Sequence, residues 1–203
     1  MTDFTKDDVV VEKREVLFKG FYRVDKLHLR HRLFAGGMGA LLTREMFVRH
    51  PAVGVLVYDA DADEVLLIEQ FRVGALDTVH PWQFEIIAGL VEPGEALEEV
   101  ARREALEEAG VAIDQLEKVM DFLPSPGGSD ELFTLYVGRA DLGSAGGIHG
   151  LAEEGEDIRV NVMSLNQALA ALQRGRINNA PCIIALQWLA LNKPRLQARW
   201  KQK

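Results

Sequence analysis

The chain has 203 residues, enough for one large domain or a main domain with a small appendage, and its 48% hydrophobic and 27% charged content is ordinary for a globular protein. A formal net charge of -8 excludes the basic stripe of a nucleic-acid surface and sets a problem for any phosphate ligand, which bare carboxylates repel. No apolar run reaches the roughly 18 to 20 residues that span a bilayer, the acidic N-terminus lacks a signal-peptide core, and a single cysteine excludes an internal disulfide, so a cytoplasmic protein is expected.

In chain order, the first 50 residues read as β-rich. "VVVEKREVLF" and "FYRVDKLHLRHRLF" flank "KG", and "ALLTREMFVRH" follows the punctuating "GGMG". These segments predict a small antiparallel sheet with too few apolar residues to stand alone, leaning on the main domain or on a second subunit. A boundary is placed there, with residues 1–50 as an N-terminal subdomain and residues 51–203 as the main domain.

From Ala52 the pattern tightens. "AVGVLVYD" and "EVLLIEQFR" are near-continuous apolar strands joined by "ADAD", which predicts cover on both faces. "WQFEIIAG" reads as one further strand ending at Gly89, and residues 96–109 as a helix of strong helix formers with Gly110 as its C-cap. Strands are expected near "LEKVMDFL", "ELFTLYVGRA" and "DIRVNVMSL", with a Gly-rich loop "DLGSAGGIHGLAEEGE" before the last. Helices near residues 166–174 and 180–191 close the chain, giving a mixed α/β sandwich with a β-rich extension. Cys182, in an apolar stretch, is read as a buried, inert thiol, and Trp82 and Trp188 as core. His80 and His149 are placed in loops without partner ligands and are given no metal role.

The acidic segment "GLVEPGEALEEVARREALEEAGV" carries the chemistry. Glu104 and Glu108 are four apart, so they stack on one helix face, where like charges destabilise an isolated helix by a few tenths of a kcal/mol. They also lie toward the C-terminal end, where the helix dipole disfavours anions. Local stability therefore does not explain them, whereas hard divalent cations such as Mg²⁺ or Mn²⁺ want such oxygen ligands. Arg103 is spaced to pair with Glu107 and hold the ligand face, and Glu95 lies at the loop-to-helix junction, where it joins the cage or caps the helix.

Gly89, Glu95, Arg103, Glu104, Ala105, Glu107, Glu108, Gly110 and Val111 fit a complete Nudix signature, and on these residues the chain resembles the Nudix hydrolases. "IEQFR", "PWQFEIIAG", "LPSPGGSDE", Pro126 at its distance past the motif, and "GIHGLAEEGEDIRV" resemble the ADP-ribose pyrophosphatase branch. The resemblance implies a Nudix α/β/α sandwich with a mixed sheet, and Mg²⁺-dependent hydrolysis of ADP-ribose to AMP and ribose 5-phosphate, with Mn²⁺ as a possible substitute. It implies metal ligation by Glu104, Glu108, Glu95 and the carbonyl of Ala88. Glu154 becomes the general base, with Glu153 and Glu156 as rivals that residue type cannot separate. Arg72 becomes a pyrophosphate contact, Glu131 lines the terminal-ribose side, and Phe21 or Tyr22 with Arg44 hold the adenine. A homodimer is also implied, with the N-terminal sheet exchanged or packed across. Two other readings stay open: a different nucleoside diphosphate sugar such as GDP-mannose or ADP-glucose, and a silent module that only binds ADP-ribose.

Overall fold

The computed structural model describes residues 4–151, 153 and 155–201. The chain forms two compact units, one from the chain up to His50 with Leu123–Glu131, the other from Pro51–Phe122 with the chain from Leu132 onward.

The first unit is a three-stranded antiparallel sheet, β1 (Val9–Lys19), β2 (Arg23–His31) and β3 (Leu42–Val48), in that order. Register shifts at Val11/Lys13 and Val16/Phe18 bulge β1, which increases its twist. Nearly all of β1 is exposed, including Val10, Leu17 and Phe18. The strongest internal tie is polar. Asp25 is wholly buried and receives the Nε–H of Arg23 at 2.6 Å and that of Arg14. A buried carboxylate is tolerated only with such partners. Residues 123–131 belong to this unit because the Phe47 N–H donates to the Gly128 carbonyl at 2.8 Å and the Arg49 N–H to the Asp130 carboxylate at 2.8 Å.

The second unit is built on an eight-stranded mixed sheet. Its strands are β4 (Ala52–Asp59), β5 (Glu64–Phe71), β6 (Trp82–Glu85), β7 (Ile87–Leu90), β8 (Gln115–Phe122), β9 (Phe133–Arg139), β10 (Gly147–His149) and β11 (Ile158–Ser164). The main order is β10-β11-β5-β4-β9-β8, with β6 on β5 and β7 on β4, and among the described residues of this sheet only the β4–β9 pair is parallel. Helix α1 (Leu97–Ala109) packs on one face, and α2 (Leu165–Gln173) and α3 (Ala180–Trp200) on the other. β4 is buried along its whole length. Val53, Val55 and Val57 face α1, while Leu56 and Tyr58 face the other layer, so both faces are covered as the apolar run predicts.

The stretch "WQFEIIAG" is two strands rather than one, and this difference creates the site. β4 and β5 pair only over Val57–Asp59 and Glu64–Leu66 and then splay apart. β6 continues on the edge of β5 and β7 on the edge of β4, so the two fill the opening like a wedge. The break falls at Ile86, whose side chain joins the α3-side core while Ile87 joins the α1-side core.

Three smaller expectations also change. α3 continues nine residues past Leu191, through Pro194, because Leu196 and Trp200 bury their side chains in the core and tertiary packing offsets the lost N–H. Trp82 is 54% exposed, with its ring edge against Phe71 at 5.6 Å, rather than core; edge strand β6 leaves that face uncovered. His149 is the last residue of β10, not a loop residue, and its ring lies over Gly110. Cys182 is buried as expected, and burial, with Glu85 nearby, pushes its thiol up to about 12.

If the last turns of α3 belong to the core, Trp200→Ala should cost about 3–5 kcal/mol of stability. A urea melt read by near-ultraviolet circular dichroism checks this, and a midpoint like the parent's would contradict it.

Candidate active site

Helix α1 carries an apolar stripe, Val100, Ala101, Ala105 and Ala109, that packs on β4 and β7. Glu108 lies on that buried stripe and is only 3% exposed. Its Oε2 accepts the N–H of Ala88 at 3.1 Å, which fastens the helix to β7 through the carboxylate. Glu104, one turn earlier, lies over Gly89: a Cβ there would fall 1.9 Å from Glu104 Oε1. A Cβ there would push the Glu104 side chain aside, so glycine matters at that position for space, not for its backbone angles. Gly110 ends the helix in the left-handed conformation, φ 65°, the geometry its C-cap role predicts.

Arg103 organises the outer rim. It donates to Glu104 at 2.8 Å and to Glu107 at 3.0 Å, and its other terminal nitrogen lies 3.6 Å from Glu95. Glu95 also accepts the Glu92 N–H at 2.9 Å, so it closes the turn that leads into α1. Burial pushes the carboxyl of Glu108 up to about 8, with the charges of Glu104 and Glu156 adding to the rise and the Ala88 N–H opposing it. Burial likewise raises Glu104, as do Glu107 and Glu156, against the pull of Arg103.

Glu156 thus exerts its charge on both helix carboxylates. Its Oε2 accepts the Leu151 N–H at 3.0 Å. Glu153 is exposed, and Glu154 lies outside the described residues. Of the described pair, Glu156 is the one whose charge reaches Glu104 and Glu108, a distinction that residue type in a run of nearby acids could not make.

Among the described residues, no three acidic, histidine or cysteine side chains converge closely enough to enclose an ion by themselves. The donor set is nevertheless that of a hard cation whose shell is completed by backbone oxygen, water or ligand phosphate, the usual arrangement for Mg²⁺. The glycine cradle under Glu104 and the raised carboxyls fit the same reading, because a dication relieves carboxylates that now repel one another. A hollow of about 280 Å³ lies elsewhere, at the C-terminal end of α1, lined by Gly110, Asp114, Asp141 and His149.

Arg72 follows β5 directly and donates its Nε–H to Glu85 at 2.8 Å; Gln70 donates to the same oxygen at 3.3 Å. Burial raises the Glu85 carboxyl, and Arg72 and Gln70 both counter that rise. The Arg72 charge also acts on Glu108, which puts it within electrostatic reach of the helix carboxylates.

In the first unit, Phe21 and Tyr22 meet edge to face at 4.9 Å, and Tyr22 lies 4.9 Å from Phe47. The Arg49 guanidinium covers Tyr22 at 5.3 Å and Phe47 at 5.6 Å and donates to Glu131 at 2.9 Å. The structure therefore gathers Phe21, Tyr22 and Glu131 and adds Phe47 and Arg49, which the sequence reading missed. Arg44 is not in the group. It is three residues from Phe47 on β3, hence on the opposite face, and donates to the Thr43 carbonyl at 2.8 Å.

A raised carboxyl has a definite pH signature. Between about 4.5 and 8 the folded protein holds a proton on Glu108 that the unfolded chain releases, so stability falls as pH rises through that window. In chelator, the melting temperature should drop from pH 5 to pH 8 more steeply for the parent than for Glu108→Gln; parallel profiles would show that the group titrates normally.

A NUDIX-domain family model matches residues 48–186. The ADP-ribose pyrophosphatase of Escherichia coli (strain K12) is 48% identical over 198 residues, covering 97% of this chain and 95% of that protein. Haemophilus influenzae ADP-ribose pyrophosphatase is 41% identical over 203 residues, with 98% and 94% covered. GDP-mannose pyrophosphatase of Cronobacter sakazakii is 35% identical over 150 residues, with 73% and 78% covered. A crystal structure of an ADP compounds hydrolase superposes with a TM-score of 0.72 at 19% identity over 96% of this chain and 97% of its own, which speaks for the fold alone. With its acidic helix, its mixed sheet between helical layers and a family match over more than half its length, the chain belongs to the NUDIX hydrolase family.

Proposed function

We propose that this NUDIX hydrolase cleaves the pyrophosphate bond of ADP-ribose, giving AMP and ribose 5-phosphate. The observation that carries this reading is the near end-to-end similarity to ADP-ribose pyrophosphatases, which takes in the first 50 residues as well as the NUDIX segment. The GDP-mannose pyrophosphatase covers less of the chain at lower identity. It keeps a guanine sugar as the second reading, since base choice would rest on the first unit. A module that only binds ADP-ribose has less support, because no carboxylate of the motif is missing.

Glu104, Glu108, Glu95 and the carbonyl of Ala88 are the proposed holders of divalent ions, Mg²⁺ with Mn²⁺ as substitute. Such ions, when bound, supply neutralisation of the diphosphate and a more acidic water. They would also reconcile an anionic substrate with a chain of net charge -8. Arg72 adds a fixed positive charge for the diphosphate, and guanidinium suits phosphate oxygens better than an ammonium does. Glu154 is the proposed acceptor of the water's proton. In the first unit, Phe21, Tyr22, Phe47 and Arg49 offer ring faces and a guanidinium plane to a base, Glu131 is the proposed ribose contact, and Arg44 keeps only the sequence resemblance in its favour.

The exposed apolar residues of β1, Val10, Leu17 and Phe18 among them, support a homodimer in which the first sheet is exchanged or packs across. A cytoplasmic location agrees with a lone reduced cysteine and with the lack, among the described residues, of any helix long and apolar enough to cross a membrane.

A panel of ADP-ribose, ADP-glucose, GDP-mannose and diadenosine polyphosphates with Mg²⁺, its products resolved by chromatography, tests the substrate. ADP-ribose should be preferred and should yield AMP. Preference for GDP-mannose would move the assignment to the second reading. Glu108→Gln and Glu104→Gln should each lower kcat by roughly 10²-fold or more, since a lost charge-stabilising group of this kind costs about that much. Undiminished turnover in either variant, or in excess chelator, would remove the metal role.

A further inference from the structure

Gln70 and Glu85 come from neighbouring strands. Ile68 is the partner of Glu85 and Gln70 of Gln83, so Gln70 and Glu85 are diagonal neighbours on one face of the β5–β6 ribbon. The Glu85 side chain is mostly buried, and one of its oxygens takes both the Gln70 amide N–H and the Arg72 Nε–H. Arg72 is about half exposed just past the end of β5, and its side chain has no other bond among the described residues.

A guanidinium offers two binding edges, one through Nε and one between the two terminal nitrogens. Glu85 engages Nε. The terminal edge is left free, and it is the one that grips a phosphate in a fork. A long, half-exposed arginine otherwise loses rotamer freedom when it binds. Burying a carboxylate under it contributes little stability by itself. The arrangement is better explained by orientation than by stability.

We propose that Glu85, steadied by Gln70, is a positioning residue that holds Arg72 side-on so that its two terminal nitrogens meet the diphosphate of the substrate. The proposal rests on the reading of Arg72 as the diphosphate contact and adds the group that aims it. Glu85 itself touches neither substrate nor ion.

A double-mutant cycle tests it. Steady-state kcat and KM for ADP-ribose are measured for Arg72→Ala, Glu85→Ala and the pair, with Mn²⁺ affinity from calorimetry and thermal melts as controls. Arg72→Ala should lower kcat/KM by about 10²-fold and Glu85→Ala by about 10- to 10²-fold, since small misplacements cost that much. Mn²⁺ affinity should hold in every variant. In the Arg72→Ala background, Glu85→Ala should change kcat/KM by less than about 3-fold, because its effect passes through a residue already removed. Glu85→Gln, which keeps the shape and an acceptor oxygen, should restore part of the loss; the cycle is run with it should Glu85→Ala not fold. Multiplying losses in the double variant, or a tighter KM in Glu85→Ala, would overturn the positioning role and leave Arg72 standing. Parent-like kinetics in Arg72→Ala would overturn the Arg72 reading and this proposal with it.

Discussion

Glu108 occupies a position on the packing face of α1 where an aliphatic residue would ordinarily lie, and its carboxylate reaches the N–H of Ala88 on β7. That contact sets the register between helix and wedge strand. It brings Glu104 over the bare Cα of Gly89 and lets Arg103 collect Glu95, Glu104 and Glu107 along the rim. A carboxylate so placed is expensive to ionise, and its helix neighbour makes it more so. The sites where local preference and observed structure disagree are those where function is concentrated, and this helix face is the clearest disagreement in the chain.

The sheet prepares the ground for that contact. Because β4 and β5 part after three paired residues, β6 and β7 enter between them, each continuing the edge of a different strand. Glu85 is the last residue of β6 and Ala88 lies within β7, so the carboxylate that holds Arg72 and the amide that docks α1 are three residues apart in sequence. Ile86 and Ile87 anchor the junction in opposite cores, which holds the Glu85 carboxylate and the Ala88 amide at a fixed separation.

The first unit follows a different logic. Its sheet has little apolar interior, and its most deeply buried side chain is Asp25 between two arginines. Polar ties of this kind specify a strand register more than they stabilise it. The aromatic group around Tyr22, covered by Arg49, is held by residues from β3 and from the segment after β8. Segments far apart in sequence thus meet in one small unit.

Read alone, the sequence determined the main elements, the acidic helix and the carboxylate spacing that suits a cation, because these depend on short-range periods: the apolar run of β4, the four-residue interval of Glu104 and Glu108, and Gly110 at the helix end. It also carried the family resemblance. It did not reveal that "WQFEIIAG" is two strands, since both halves look equally apolar and only the choice of different partner strands divides them. Nor did it show α3 running past Pro194, where long-range burial of Trp200 outweighs a local breaker. Tertiary structure alone separated Glu156 from Glu153, turned Arg44 away from the Tyr22 cluster, and joined Arg72 to Glu85 and Gln70. Each of these depends on which strands lie side by side, and pairing across a sheet leaves no mark in the local pattern of residues.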